Sequence, residues 1–134
     1  MKSYEYKHIV GFEETNLVGN VYYTNFIRWQ GRCREMFLRE NASDVLDLFK
    51  NGFAMVTTRV SCEYFAELNA FDELTVMMKL GEIKQNRIAM IFEYWRDEEL
   101  VARGEQEIAC MKREGDSIVP TVVPQSLSLA LQNY

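Results

Sequence analysis

Thr15-Asn16-Leu17-Val18-Gly19-Asn20-Val21-Tyr22-Tyr23-Thr24-Asn25-Phe26 runs without a break into the strongest helical pattern of the chain. From about Tyr22 to Glu40, Phe26, Trp29, Cys33, Met36 and Phe37 recur at spacings of three and four. Arg28, Arg32, Glu35 and Arg39 fall on the opposite side, so the helix has one face for a core and one for solvent. Asn41 is expected to end it. Upstream, Tyr4, Tyr6, His8 and Val10 alternate with Glu5, Lys7 and Ile9, the period of a strand that stops at Gly11. Downstream, Ser43 to Lys50 reads as a short helix with Ser43 as its N-cap and Asn51-Gly52 as its end.

Everything after Phe53 reads as β-structure. Val56, Thr58, Val60, Cys62 and Tyr64 would share one face of a strand. Leu74, Val76, Met78 and Leu80 form a second set, and Ile88, Met90, Phe92 and Tyr94 a third. Asp97-Glu98-Glu99 turns into a fourth strand from Leu100 to about Lys112. Glu114-Gly115-Asp116 is a further turn, and Ile118 to Val123 a short last extension. A strand, a long helix and then a meander of strands predict an α+β domain with the helix laid on one face of an antiparallel sheet. One domain is expected over residues 1–134. An open sheet of this size leaves an edge, so pairing with a second copy is expected.

Composition narrows the function. Hydrophobic residues make up 48% of the chain, with eight Phe, seven Tyr and two Trp, enough for a core and an apolar pocket. A net charge of −5 argues against nucleic-acid binding, which needs a basic surface. The three cysteines are widely spaced, with no CxxC, and His8 is the single histidine. No structural zinc site, metal or other cofactor is therefore expected. The cysteine usage suits a reduced, cytoplasmic chain, and no segment reads as a signal peptide or membrane span.

Several residues are candidates for chemistry. On a helical wheel with Phe26 at zero, Arg28, Arg32, Glu35 and Arg39 cluster at about 180–240°. Arg34 falls at about 80°, beside Tyr23 and Gln30 on the mainly apolar side. An arginine there keeps its charge, so it is either paired with Glu35, Glu40 or a strand carboxylate, or faces a polar cavity. Asn16 is either a turn residue or a hydrogen-bonding group of a site. Gly19 permits close approach of backbone to a ligand. The N–H groups of Val21, Tyr22 and Tyr23 at the helix start are either simply capped or poised to hold a carbonyl or oxyanion. Tyr22, Phe26, Tyr64 and Phe65 are candidates for an apolar slot. The absence of G-x-S-x-G and a single histidine, His8 on a strand, leave little room for a Ser-His-Asp triad. Glu13 and Glu14 close to Asn16, and Glu63 on a strand, are the other carboxylates considered.

Glu14 to Tyr23 and Arg28 to Leu38 closely resemble the hotdog-fold thioesterases of enediyne polyketide biosynthesis, a group within the 4-hydroxybenzoyl-CoA thioesterase-like superfamily. Ser61-Cys62-Glu63-Tyr64-Phe65-Ala66-Glu67-Leu68 is similar to theirs as well, and the resemblance spans about Tyr6 to Lys112. Where the superfamily commonly shows Asp-x-x-Gly, this chain reads Asn16-Leu17-Val18-Gly19. A carboxamide is no general base near neutral pH.

The resemblance implies a five-stranded antiparallel sheet wrapped around one long helix, in dimers that pair as tetramers. It implies hydrolysis of a 3-oxo polyene thioester carried on the acyl carrier domain of an iterative polyketide synthase. The product would be a β-keto acid able to lose CO₂ and leave a methyl ketone polyene. It marks Asn16 and Arg34 as catalytic. The site is expected to use the backbone N–H of Tyr23, with Gly19, Tyr22, Phe26, Gln30, Tyr64 and Phe65 around the substrate. A conventional acyl-CoA thioesterase with Glu14 or Glu63 as its acid, and a non-catalytic acyl-binding protein, stand as alternatives. The length and unsaturation of the chain, the natural product and the choice of dimer or tetramer stay open.

Overall fold

The computed structural model describes residues 2–134. The elements run β1 (Tyr4–Ile9), a one-turn 3-10 helix (Phe12–Glu14), α1 (Thr24–Asn41), α2 (Ser43–Phe49), β2 (Phe53–Tyr64), β3 (Glu73–Lys84), β4 (Arg87–Arg96), β5 (Glu99–Glu114), β6 (Ser117–Pro120) and α3 (Gln125–Leu131). The main sheet has the order β1-β3-β4-β5-β2, and β6 adds to the end of β5. All pairings are antiparallel.

The sheet curls around α1. Val76, Met78, Ile88, Phe92 and Tyr94 point inward and are fully buried. Facing them from α1 are Phe26, Trp29, Cys33 and Phe37, the predicted apolar stripe. The helix starts at Thr24, two residues later than its pattern suggests, because Tyr22 and Tyr23 belong to the entering loop. The short second helix is present, but Ala42, not Ser43, stands at its cap, with no side-chain cap bond. Gly52, at φ 93°, makes the turn out of it, a conformation glycine adopts without strain.

Two sequence expectations need correction. Val56 does not share a face with Val60, Cys62 and Tyr64. The β2–β5 register slips between Thr57 and Arg59, so Thr58 is an extra residue that flips the alternation. Val56 then pairs with Ala109, while Val60, Cys62 and Tyr64 pair with the inward residues Gln106, Gly104 and Ala102. The chain also ends in a helix, not in β-structure. Ser126-Leu127-Ser128-Leu129 alternates like a strand, yet the buried residues are Leu127, Ala130 and Leu131, at helical spacing. This helix covers the open end of the sheet, where Tyr134 packs edge-on against Tyr4 and Phe37. No helix among the described residues is long and apolar enough to cross a membrane.

Candidate active site

The loop before α1 is tied down on both sides. Asn16 N–H donates to Asn20 O at 2.7 Å and Gly19 N–H to Asn16 O at 3.0 Å, closing a tight turn. Gly19 completes it at φ 99°, exposed to solvent. Asn16 Nδ2 donates to Asn20 Oδ1 at 3.1 Å, and Asn20 Nδ2 to Glu67 Oε1 at 3.4 Å. Asn16 Oδ1 receives no hydrogen bond among the described residues.

Glu14 anchors the same loop from below. Its carboxylate accepts from Gly11 N–H, His8 Nε2 and Trp29 Nε1, each at 2.8 Å. Its backbone oxygen accepts from Tyr22 N–H at 3.0 Å and Asn25 Nδ2 at 2.8 Å. Burial pushes the Glu14 carboxyl up, but these three donors outweigh it and hold the group below the usual carboxylate range. A carboxylate so satisfied is a poor base. Glu63 alternates with Cys62 and Tyr64 and so lies on the outer face of β2, away from α1. Neither carboxylate replaces the missing acid within this chain.

The helix start offers fewer donors than its sequence suggests. Val21 N–H is taken by Leu68 O at 2.7 Å, and Tyr22 N–H by Glu14 O. Tyr22 therefore has no N–H to offer a substrate. Tyr23 N–H donates to no protein group among the described residues. The Tyr64 hydroxyl donates to Tyr23 O at 2.9 Å and steadies that turn. Beside it lies a cleft of about 220 Å³ lined by Asn20, Tyr23, Phe26, Tyr64, Ala66 and Leu68. Phe26 and Tyr64 meet edge-to-face at 4.9 Å, and Tyr23 and Tyr64 at 6.5 Å. Of the residues expected around a substrate, Phe26 and Tyr64 line this cleft. Phe65, Tyr22 and Gly19 are exposed beside it, and Gln30 lies beneath the sheet.

Arg34 sits apart from this cleft and is the unusual charge of the molecule. It has no carboxylate partner among the described residues. Glu35 pairs with Arg32 at 3.2 Å, and Glu40 accepts from the Tyr4 hydroxyl. The structural pairings considered for Arg34 are thus absent. Its Nη1 donates to Gln106 Oε1 at 2.6 Å. Gln106 Nε2 reaches Gln30 Oε1 at 3.5 Å, and Gln30 Nε2 donates to Ser61 O at 3.0 Å. Burial lowers the guanidinium from its ordinary value, against a smaller opposing pull from Glu35, though an arginine stays charged regardless. Gln106 and Gly104 escaped the sequence reading. The available signal was a glutamine among the inward residues Ile108 and Cys110 of an alternating strand.

The profile of the Thioesterase-like superfamily matches residues 10–131. The chain belongs to that superfamily. A solved structure of the dynemicin thioesterase, described for its polyene binding, is 44% identical, covers 99% of this chain and 97% of its own, and superposes with a TM-score of 0.96. A 1,4-dihydroxy-2-naphthoyl-CoA thioesterase from Synechocystis is 20% identical over 98% of this chain and 97% of its own, with a TM-score of 0.86. An Asp-to-Asn mutant of 4-hydroxybenzoyl-CoA thioesterase is 15% identical over 98% and 99%, also with a TM-score of 0.86. The last two share the hotdog fold with this thioesterase, and their identities speak to the fold alone. No curated protein sequence matches the chain. The resemblance in the loop and helix thus holds over the whole chain, and the chemistry of the superfamily is thioester hydrolysis.

Proposed function

We propose that this thioesterase releases a 3-oxo polyene from the acyl carrier domain of an iterative enediyne polyketide synthase. Water adds to the thioester carbonyl, the tetrahedral oxyanion collapses, and the thiol of the phosphopantetheine arm leaves with a proton. The β-keto acid so formed can lose CO₂ to give a methyl ketone polyene. The observation that carries the reading is Arg34, a half-buried cation held by a neutral amide and left free to meet negative charge from a substrate. A 3-oxo thioester supplies that charge as an oxyanion or enolate, and its carbonyl is electrophilic enough to lower the demand for a strong base. The 44% identical relative, described for polyene binding, supports the substrate class.

The site needs two copies. Tyr23 and Arg34 are eleven residues apart, about 16 Å along a helix axis. The thioester and 3-oxo groups of a substrate are separated by one methylene, far less than that rise, so in this reading Arg34 comes to the substrate from a second copy. The exposed edge strand β2, with Val56 and Val60 open to solvent, is the surface for a second copy. Asn16 and Tyr23 of one protomer then meet Arg34 of the partner subunit. Light scattering is expected to report at least twice the 15.7 kDa chain mass. Co-expressing the impaired Asn16→Ala and Arg34→Ala chains should restore about a quarter of wild-type activity, since half the dimers are mixed and each has one intact site. A 15.7 kDa particle, or no rescue, removes the shared site.

Carrier docking is assigned to Arg28, Arg32 and Arg39, exposed along one stripe of α1 and complementary to an acidic carrier domain. Reversing all three charges should slow release from the carrier and spare a small soluble thioester. Equal rates on both would exclude the stripe. The decisive test of the function is incubation with the polyene-loaded synthase, followed by mass and absorbance analysis of what is released. A free polyene ketone or β-keto acid with free carrier thiol is expected. Stoichiometric binding without free thiol would make this an acyl-binding protein. Equal turnover of acyl-CoA would make it a general thioesterase.

A further inference from the structure

Arg34, Gln106, Gln30 and Ser61 O form a line of polar groups beneath β5, and its two ends fix its direction. A guanidinium has donors only, so the Gln106 oxygen must face Arg34. The Gln106 amide nitrogen is then turned to Gln30, whose oxygen must face it. The Gln30 nitrogen is left for Ser61 O, a backbone carbonyl that can only accept. No other orientation of the two amides satisfies every group, and no buried side-chain nitrogen or oxygen among the described residues is left without a partner. Gln30 and Gln106 are buried, and the line aims its oxygen ends at the guanidinium.

Gly104 makes the line possible. A Cβ at this position would overlap Gln30 Nε2 and come within 2.6 Å of Ser61 O. Any larger residue would displace the amide that orients Gln106. An acidic residue at 106 would satisfy Arg34 as a hydrogen-bond acceptor, yet would cancel its charge and turn an oxygen to Gln30 Oε1. The site holds an amide there.

We infer that Gln106, seated through Gln30 and Gly104, is the positioning residue that aims Arg34 while leaving its charge unneutralised for the substrate anion. The inference rests on the proposed 3-oxo substrate for its kinetic readout alone. The full-length wild type, Gln106→Glu and Gln106→Leu are to be compared on 3-oxoacyl and saturated acyl pantetheine thioesters of equal length. Gln106→Glu trades the bond to Gln30 Oε1 for an ion pair with Arg34, so Tm is expected to change little. Its kcat on the 3-oxoacyl thioester should fall at least about tenfold with KM little changed, and its kcat on the saturated thioester should fall less. Undiminished kcat at equal Tm overturns the inference, and so does an equal fall on both thioesters.

A second readout is independent of turnover. The Arg34 guanidinium ¹⁵N resonances should show slow Nη rotation in the wild type and averaging in Gln106→Leu. Gln106→Met takes the place of the leucine variant should that variant not fold. Unchanged rotation overturns the inference. A wild type that cleaves neither thioester refutes the proposed function, and the resonances then decide the role of Gln106 by themselves.

Discussion

Arg34→Ala is expected to lower kcat/KM on a 3-oxoacyl thioester by about a hundred- to a thousandfold, the range for removing one preorganised group that stabilises developing charge. Arg32→Ala, assayed on the same small soluble thioester, should keep wild-type turnover. The two residues are neighbours on α1 and differ in what surrounds them. Arg32 is exposed and spends its charge on Glu35, a surface pair worth little. Arg34 is half-buried with only a neutral amide for a partner among the described residues. The alanine variant should also fold. Losing the guanidinium orphans the Gln106 oxygen at about 1–3 kcal/mol, but it also removes a half-buried charge with no carboxylate partner, and the two effects oppose. Equal activity of the two variants at equal Tm would refute the role of Arg34.

How much of this was legible before folding depends on the range of the interactions. The long helix announced itself through Phe26, Trp29, Cys33 and Phe37, because helical period is a local property. The same wheel separated Arg34 from Arg28, Arg32 and Arg39, and the structure leaves those three exposed and Arg34 half-buried. Partners were not legible. Glu14 read as a candidate acid near Asn16 and is instead the fastening of the helix entrance, through donors from Gly11, His8 and Trp29. Its satisfied state followed from three elements meeting, which no spacing reveals. The bulge at Thr58 was hidden for a related reason, since β-alternation says nothing of where a strand gains a residue against its partner. The C-terminal helix was missed because Ser126 to Leu129 fits both periods, and burial of Leu127, Ala130 and Leu131 alone decides between them.

Asn16 is the other residue on which a large effect is expected. Its neighbours set the direction of its amide as firmly as those of Gln106. Glu67 has only acceptors, so Asn20 turns its nitrogen to Glu67 and its oxygen to Asn16, and Asn16 answers with Nδ2. Asn16 Oδ1 is thereby left as an unoccupied acceptor beside the Asn20 wall of the cleft, suited to hold a water by one of its hydrogens. Asn16→Ala should lower turnover on the order of tenfold to a few hundredfold, as for removal of a single hydrogen bond at a transition state. Asn16→Asp is the sharper test. It replaces the donating nitrogen with an oxygen facing Asn20 Oδ1, so an acceptor meets an acceptor. Turning Asn20 over to relieve this would set its oxygen against Glu67. A carboxylate therefore gains no proton-transfer role without breaking the amide pair, and in the proposed two-copy site its charge would be drawn to the unneutralised Arg34. Asn16→Asp should give no gain, with a rate at or below that of Asn16→Ala. A severalfold increase over wild type, with a new acid limb near the ordinary carboxylate pKa, would instead mean that the site works by general-base catalysis and that asparagine merely weakens it.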